Sequence, residues 1–129
     1  MAYGQSTKLF FDGGCRPNPG RIECAVVRKG VTYYRHDLGS GSNSDAEWLA
    51  AIHALEVAAQ NDDRDITLLG DSTLVVTQAN GTARCRSVEL EAHRVKFAEL
   101  AVGFDRVRIR HVGRAQNLAG IALAKLHPR

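Results

Sequence analysis

Long apolar runs are missing from this chain of 129 residues, and none approaches the ~18 residues that argue for a membrane-crossing helix. Its opening, Met1-Ala-Tyr-Gly-Gln-Ser-Thr-Lys8, also lacks the apolar centre of a secretory leader, so a cytoplasmic protein without a membrane partner is expected. Cysteine is scarce and unpatterned. Cys15, Cys24 and Cys85 are odd in number, widely spaced and never in a Cys-x-x-Cys pair, which argues against a disulfide framework and a zinc cluster and leaves free thiols. With only 3 Pro, no low-complexity tract, no repeat and no linker, residues 1–129 are expected to form one domain, and a monomer is the expected state.

What is present is an ordinary globular composition, 44% hydrophobic and 24% charged, with an uneven charge. Residues 1–80 hold 7 Lys/Arg and 10 Asp/Glu, a balance of −3, whereas residues 81–129 hold 10 and 4, a balance of +6. An acidic first part and a basic second part suit a cation site beside a polyanion-binding surface, although exposed charge also simply solvates a face.

Periodicity divides the chain into an α/β order. Lys8 to Phe11 reads as a strand closed by a turn at Asp12-Gly13-Gly14, followed by strands at Cys24 to Val27 and Val31 to Arg35 joined across Lys29-Gly30. From Asn43, the residues Trp48, Ala51, Ile52, Leu55, Ala58 and Ala59 recur at helical spacing. Ile66 to Gly70 has the nearly continuous apolar character of a central strand and ends in Asp71-Ser72, a helix N-cap pair. Leu74 to Ala79 and Val88 to Val102 read as helices. Arg106 to His111 alternates, with arginines on one face and Val107, Ile109 and a buried His111 on the other, and Ala115 to Leu126 reads as a last helix. A five-stranded mixed sheet, three strands antiparallel and two parallel, with helices on its faces, is the simplest architecture.

Three carboxylates fall where such a sheet gathers its ligands: Asp12, Glu47 and Asp71. Massed carboxylates raise each other's pKa, so a cluster of them makes sense around a hard cation such as Mg²⁺. Two such ions activate a water and stabilise the leaving oxygen of a phosphodiester. Each acid also has a plain structural use: Asp12 as a turn residue, Glu47 as the closing member of a Ser44-x-x-Glu47 capping box, and Asp71 as a cap.

Four segments decide between these uses. They are Phe11-Asp12-Gly13-Gly14-Cys15-Arg16-Pro17-Asn18-Pro19-Gly20, then Ser42-Asn43-Ser44-Asp45-Ala46-Glu47-Trp48, then Leu69-Gly70-Asp71-Ser72, then Val112-Gly113-Arg114-Ala115-Gln116-Asn117 ahead of Leu123-Ala124. In that order and spacing they resemble the type 1 ribonuclease H family from Lys8 to about Leu126. The resemblance implies the RNase H-like fold and metal-dependent hydrolysis of the RNA strand of an RNA/DNA hybrid. It implies two Mg²⁺ or Mn²⁺ ions held by Asp12, Glu47 and Asp71. Substrate contacts are expected from main-chain amides at Gly13, Gly14 and Cys15, from Asn18, Asn43 and Gln78 in the minor groove, from Ser42 at a phosphate of the DNA strand, and from Ser44 and Arg114.

The departures from the family bear on activity. Registering Asn117 and Leu123-Ala124 with the family's last helix places Ile121 where a fourth catalytic Asp belongs. Ile cannot ligate a metal, so Asn117, one turn earlier, becomes a weak candidate ligand in its place. The basic handle that some members carry before the third helix is absent, with only Arg84 and Arg86 in the short connection, so salt-sensitive binding is expected. Besides an active ribonuclease, an impaired nucleic-acid-binding module of the same fold and an α/β interaction domain whose acids are caps and turns are the rival readings.

Overall fold

A computed structural model describes residues 6–127, and the first residues of the stretch read above for a leader lie outside them. Strands β1 (Thr7–Cys15), β2 (Gly20–Arg28) and β3 (Val31–Arg35) form the expected antiparallel meander. The β2–β3 turn is Lys29-Gly30, with φ of 48° and 80°. Two left-handed residues make a hairpin turn whose twist matches its strands, and glycine takes one of these positions without strain.

The first strand corrects the sequence reading. It does not close at Asp12-Gly13-Gly14 but runs on to Cys15, because Gly13, Gly14 and Cys15 continue to face Cys24, Glu23 and Ile22 of β2. Asp12 is therefore a strand residue and not part of a turn. A two-residue strand, β4 (Ser40–Gly41), adds to the start of β2 and leads into the long helix α1 (Asn43–Gln60).

Strand β5 (Asp65–Gly70) runs parallel to β1, in register from Thr7↔Ile66 to Phe10↔Leu69. Helices α2 (Thr73–Ala79) and α3 (Val88–Ala101) follow, then β6 (Arg106–His111), parallel to β5. The order across the sheet is β3-β2-β1-β5-β6, the expected five strands, with β4 as a short sixth beside β2.

Helix α1 supplies the main core. Ala50, Ala51, Ala54 and Ala58 are buried with Trp48 and Leu55, and these small side chains let the helix lie close on Leu9, Phe11, Cys24 and Val26 of the sheet. The Trp48 ring meets Phe97 of α3 edge-on, centroids 5.7 Å apart, an arrangement favoured by the ring quadrupoles. On the opposite sheet face a smaller cluster of Ala25, Val27, Ala119 and Leu123 seats α4 (Leu118–Ala124). The cysteines are unpaired, and burial pushes the Cys24 thiol up to about 12, as suits an inert core thiol.

Two further expectations change. The last helix is not continuous from Ala115: a 3-10 turn (Arg114–Gln116) precedes Asn117, which is extended at φ −83°, ψ 100° and starts α4 afresh. His111 is exposed rather than buried, because β6 is the edge strand and Ile109 is its last side chain covered by the helices.

Candidate active site

The three predicted acids converge from three elements. The β1 and β5 strands part after Phe10↔Leu69, so Asp12, still within β1, and Asp71, the first residue beyond β5, each follow two residues later. Glu47 reaches the same place because the first turn of α1 passes directly over Gly13. A Cβ on Gly13 would fall inside the Ala46 carbonyl oxygen, so this approach exists only for glycine. Asp12, Glu47 and Asp71 line one cavity of about 300 Å³, together with Arg114 and Gly120.

Capping leaves Glu47 free for this role. The box at the start of α1 is Ser42 with Asp45, not Ser44 with Glu47. The Ser42 hydroxyl accepts from the Asp45 amide at 3.1 Å, and Asp45 Oδ2 accepts from the Ser42 amide at 2.9 Å. Ser72, not Asp71, likewise caps α2, accepting from the Val75 amide at 3.2 Å. Both plain uses proposed for these acids thus belong to their neighbours.

The electrostatics are those of a charge cluster short of counter-charge. Burial and then the neighbouring Asp71 raise the Asp12 carboxyl to about 7, against the pull of Arg114, with Glu47 adding to the rise. Burial also raises Glu47, opposed by a hydrogen bond from Ser72 and assisted by Asp71. Arg114 Nη1 lies 3.7 Å from Asp71 Oδ1, and with its side chain 84% exposed it screens the cluster only weakly.

Asn117 is not placed as a ligand. Its Oδ1 accepts from the Ala119 amide at 3.1 Å, while its Nδ2 donates to the Phe11 carbonyl at 3.0 Å and to Asp71 Oδ2 at 3.2 Å. A flipped amide would set donor against donor at Ala119, so this orientation is dictated by its partners. Asn117 therefore positions Asp71 and ties α4 to β1.

The open fourth position also differs from expectation. A Cβ on Gly120 would lie 3.5 Å from Asp12 Oδ2 and 3.6 Å from Asp71 Oδ2. Ile121 is instead 41% exposed and is not among the cavity-lining residues. The break at Asn117 sets the phase of α4, and that phase turns Gly120 toward the acids. The Gly120→Asp protein is accordingly expected to bind Mn²⁺ about tenfold more tightly than the parent, and Ile121→Asp to leave affinity unchanged. Calorimetric titration of both decides it, and a gain confined to Ile121→Asp would reverse the assignment.

The substrate candidates fall into two groups. Asn43, exposed at the start of α1, accepts from the Cys15 amide at 3.1 Å through Oδ1, and its own amide donates to Asn18 Oδ1 at 3.1 Å. Asn18, Asn43 and Cys15 thus form one knot at the cavity rim with Gly14, and Ser42 and Ser44 follow in the first turn of α1. The Cys15 amide is already bonded, so it is not open to a 2′-hydroxyl as expected. Gln78 is corrected outright: it is 2% exposed, accepting from Trp48 Nε1 at 2.8 Å and donating to the Arg84 carbonyl at 3.2 Å. The indole N–H needs a buried acceptor, and Gln78 supplies it.

Two charged cavity residues, Arg16 and Glu23, escaped the sequence reading. Glu23 of β2 also lines the site, held by His127 from beyond α4 and near His36 Nδ1 at 3.8 Å. Its register opposite Gly14 is the signal that places it there, and that register depends on where the β1–β2 connection turns. Hard carboxylate oxygens around an undercompensated cavity suit a divalent cation. Among the described residues no group of three His, Cys, Asp or Glu is already arranged to hold a metal ion; Asp71 is engaged with Asn117, and Glu47 with Ser72.

Comparison with known proteins places this geometry in a lineage. Residues 14–127 match the family model described as reverse transcriptase-like. The chain is 39% identical over 126 residues to ribonuclease HI of Halobacterium salinarum, covering 94% of this chain and 63% of that protein. Its fold superposes on the crystal structure of RNase H1 from H. salinarum NRC-1 with a TM-score of 0.84 at 36% identity, covering 94% of this chain and 99% of the solved one. It is also 29% identical over 119 residues to the bifunctional protein Rv2228c of Mycobacterium tuberculosis, across 88% of this chain but 33% of that protein. The chain thus spans less than two thirds of the full length of the two relatives matched by sequence, ribonuclease HI and Rv2228c. On its fold, its match over nearly the whole length and the placement of Asp12, Glu47 and Asp71, the chain belongs to the reverse transcriptase-like family and is an RNase H-type domain.

Proposed function

We propose that this chain is a ribonuclease H that hydrolyses the RNA strand of RNA/DNA hybrids. The observation that carries the proposal is the cavity in which Asp12, Glu47 and Asp71 face one another, with Asp12 raised to about 7 by burial and its acidic neighbours. Asp12, Glu47 and Asp71 would hold divalent cations, Mg²⁺ or Mn²⁺, which when bound neutralise the cluster and supply Lewis-acid activation for phosphodiester hydrolysis. The chain's own groups do the positioning. Asn117 fixes the direction of Asp71, Arg114 offers a guanidinium to a phosphate at the rim, and exposed Asn18 and Asn43 offer amides to a minor groove.

A second reading is motivated by Gly120. With glycine facing Asp12 and Asp71, no fourth carboxylate comes from α4, which favours slow turnover or a module that binds hybrids without cutting them. A labelled RNA/DNA hybrid incubated with Mg²⁺ or Mn²⁺, beside single-stranded RNA and duplex DNA, separates the two. Cleavage of the RNA in the hybrid alone is expected. Tight hybrid binding with no cleavage under either metal would hand the assignment to the binding module.

A further inference from the structure

The ribonuclease reading uses only Arg114 from the basic second part of the chain. Strand β6 sets three more of that part's ten cations, Arg106, Arg108 and Arg110, in a row. Registered partners of a parallel pair share a sheet face, so Arg106, Arg108 and Arg110 stand beside Asp65, Thr67 and Leu69 of β5. Through Thr67 and Leu69 the row continues to Lys8 and Phe10 of β1. Phe10 packs on the α4 cluster, and Asp12 follows it on the same face, so the cations and the catalytic cavity share one side of the sheet.

Most of this charge is uncompensated. Arg106 is taken by Asp65, Nη2 to Oδ2 at 2.9 Å. Among the described residues Arg108 and Arg110 form no ion pair, and α4, Leu118–Ala124, brings no carboxylate to the same face. Arg110 and Lys8 are exposed and Arg108 half-buried. Two residues of strand advance ~6.6 Å, a step of the size that separates successive phosphates on one nucleic-acid strand.

We propose that Arg108 and Arg110, flanked by Lys8, form a phosphate-binding row that leads along edge strand β6 to Arg114 at the cavity. The row grips the backbone of one strand of a nucleic acid beyond the reaction site and stands in for the basic handle this chain lacks. The identity of that nucleic acid as a hybrid rests on the proposed function; the row itself rests on the register and charge of β6. Arginines on an edge strand also discourage pairing with other chains, and a row serving only that end would leave nucleic-acid affinity untouched.

From Arg108 to Arg114 is at most ~20 Å of chain, about six base pairs of rise. The test is fluorescence anisotropy in EDTA, where nothing is cut, on hybrids of ~6 and ~18 base pairs centred on the cavity. Removing both side chains, Arg108→Ala with Arg110→Ala, is expected to weaken the long hybrid about tenfold at low salt. The slope of log affinity against log salt should fall by about 2. The short hybrid should bind as before, and the double lysine variant should recover the slope. Unchanged long-hybrid affinity, or an equal loss on both lengths, overturns the row. Cleavage is scored separately: a protein that cuts hybrids with unaltered affinity keeps the ribonuclease and loses the row. One that cuts nothing but loses duplex affinity with the arginines does the reverse.

Discussion

An Asp12→Asn protein is expected to cleave an RNA/DNA hybrid at least ~10³-fold more slowly than its parent and, without divalent metal, to be the more stable of the two above pH 7. Both effects come from the same carboxylate. As the proposed metal ligand it would be needed ionised; as a buried group beside Asp71 and Glu47 it is held up at about 7. The folded chain therefore binds a proton that the unfolded chain, with an ordinary carboxyl of 3.8, has released. Between those two values the folded state carries more protons, so stability falls as pH rises, and the loss is complete above the upper value. Three units at ~1.4 kcal/mol each set the scale at roughly 2 to 4 kcal/mol after solvent relaxation. Asparagine removes the charge and with it the loss.

Urea unfolding in EDTA at pH 5 and pH 8 measures this directly. The parent is expected to lose stability between the two, Asp12→Asn to lose much less, and saturating Mn²⁺ to restore the parent. Identical pH dependence in both proteins would mean that Asp12 is not crowded by the other acids, and the metal-centred reading would fail with it.

Gly13→Ala is expected to destabilise the fold by about 2 to 4 kcal/mol and to reduce cleavage at least tenfold. The added methyl would overlap the Ala46 carbonyl, a backbone atom that no rotamer can move aside. Relief requires the first turn of α1 to lift from β1, and that turn carries both Glu47 and the Ser42–Asp45 cap. Gly14→Ala is the matched control, since its Cβ would meet nothing nearer than Asn43 Oδ1 at 3.8 Å. Thermal melts and hybrid cleavage on the two variants check the pair. Equal behaviour would show that the close helix–strand approach does not hold Glu47 in place.

The amino-acid sequence by itself determined the local elements and their order. Alternation in Arg106–His111, helical spacing from Trp48 to Ala59 and the apolar run at Ile66–Gly70 are properties of neighbours in the chain, and their period survives in any fold. The three acids were legible for a related reason: their position at or near strand and helix ends is also local, even though Asp12 proved to lie within a longer strand.

Tertiary structure alone decided which side chains meet. Gln78 reads as a polar residue on a short helix, yet the Trp48 indole, 30 residues away, makes it a buried acceptor. Asn117 is drawn to Phe11 across 106 residues, and the break it makes sets the phase by which Gly120, not Ile121, faces the acids. Glu23 enters the cavity only through the register of β2 on β1. Period is a matter of covalent geometry and acts over a few residues, whereas the partner of a buried polar atom is selected by packing among segments remote in sequence. That selection brought three separate carboxylates to one cavity.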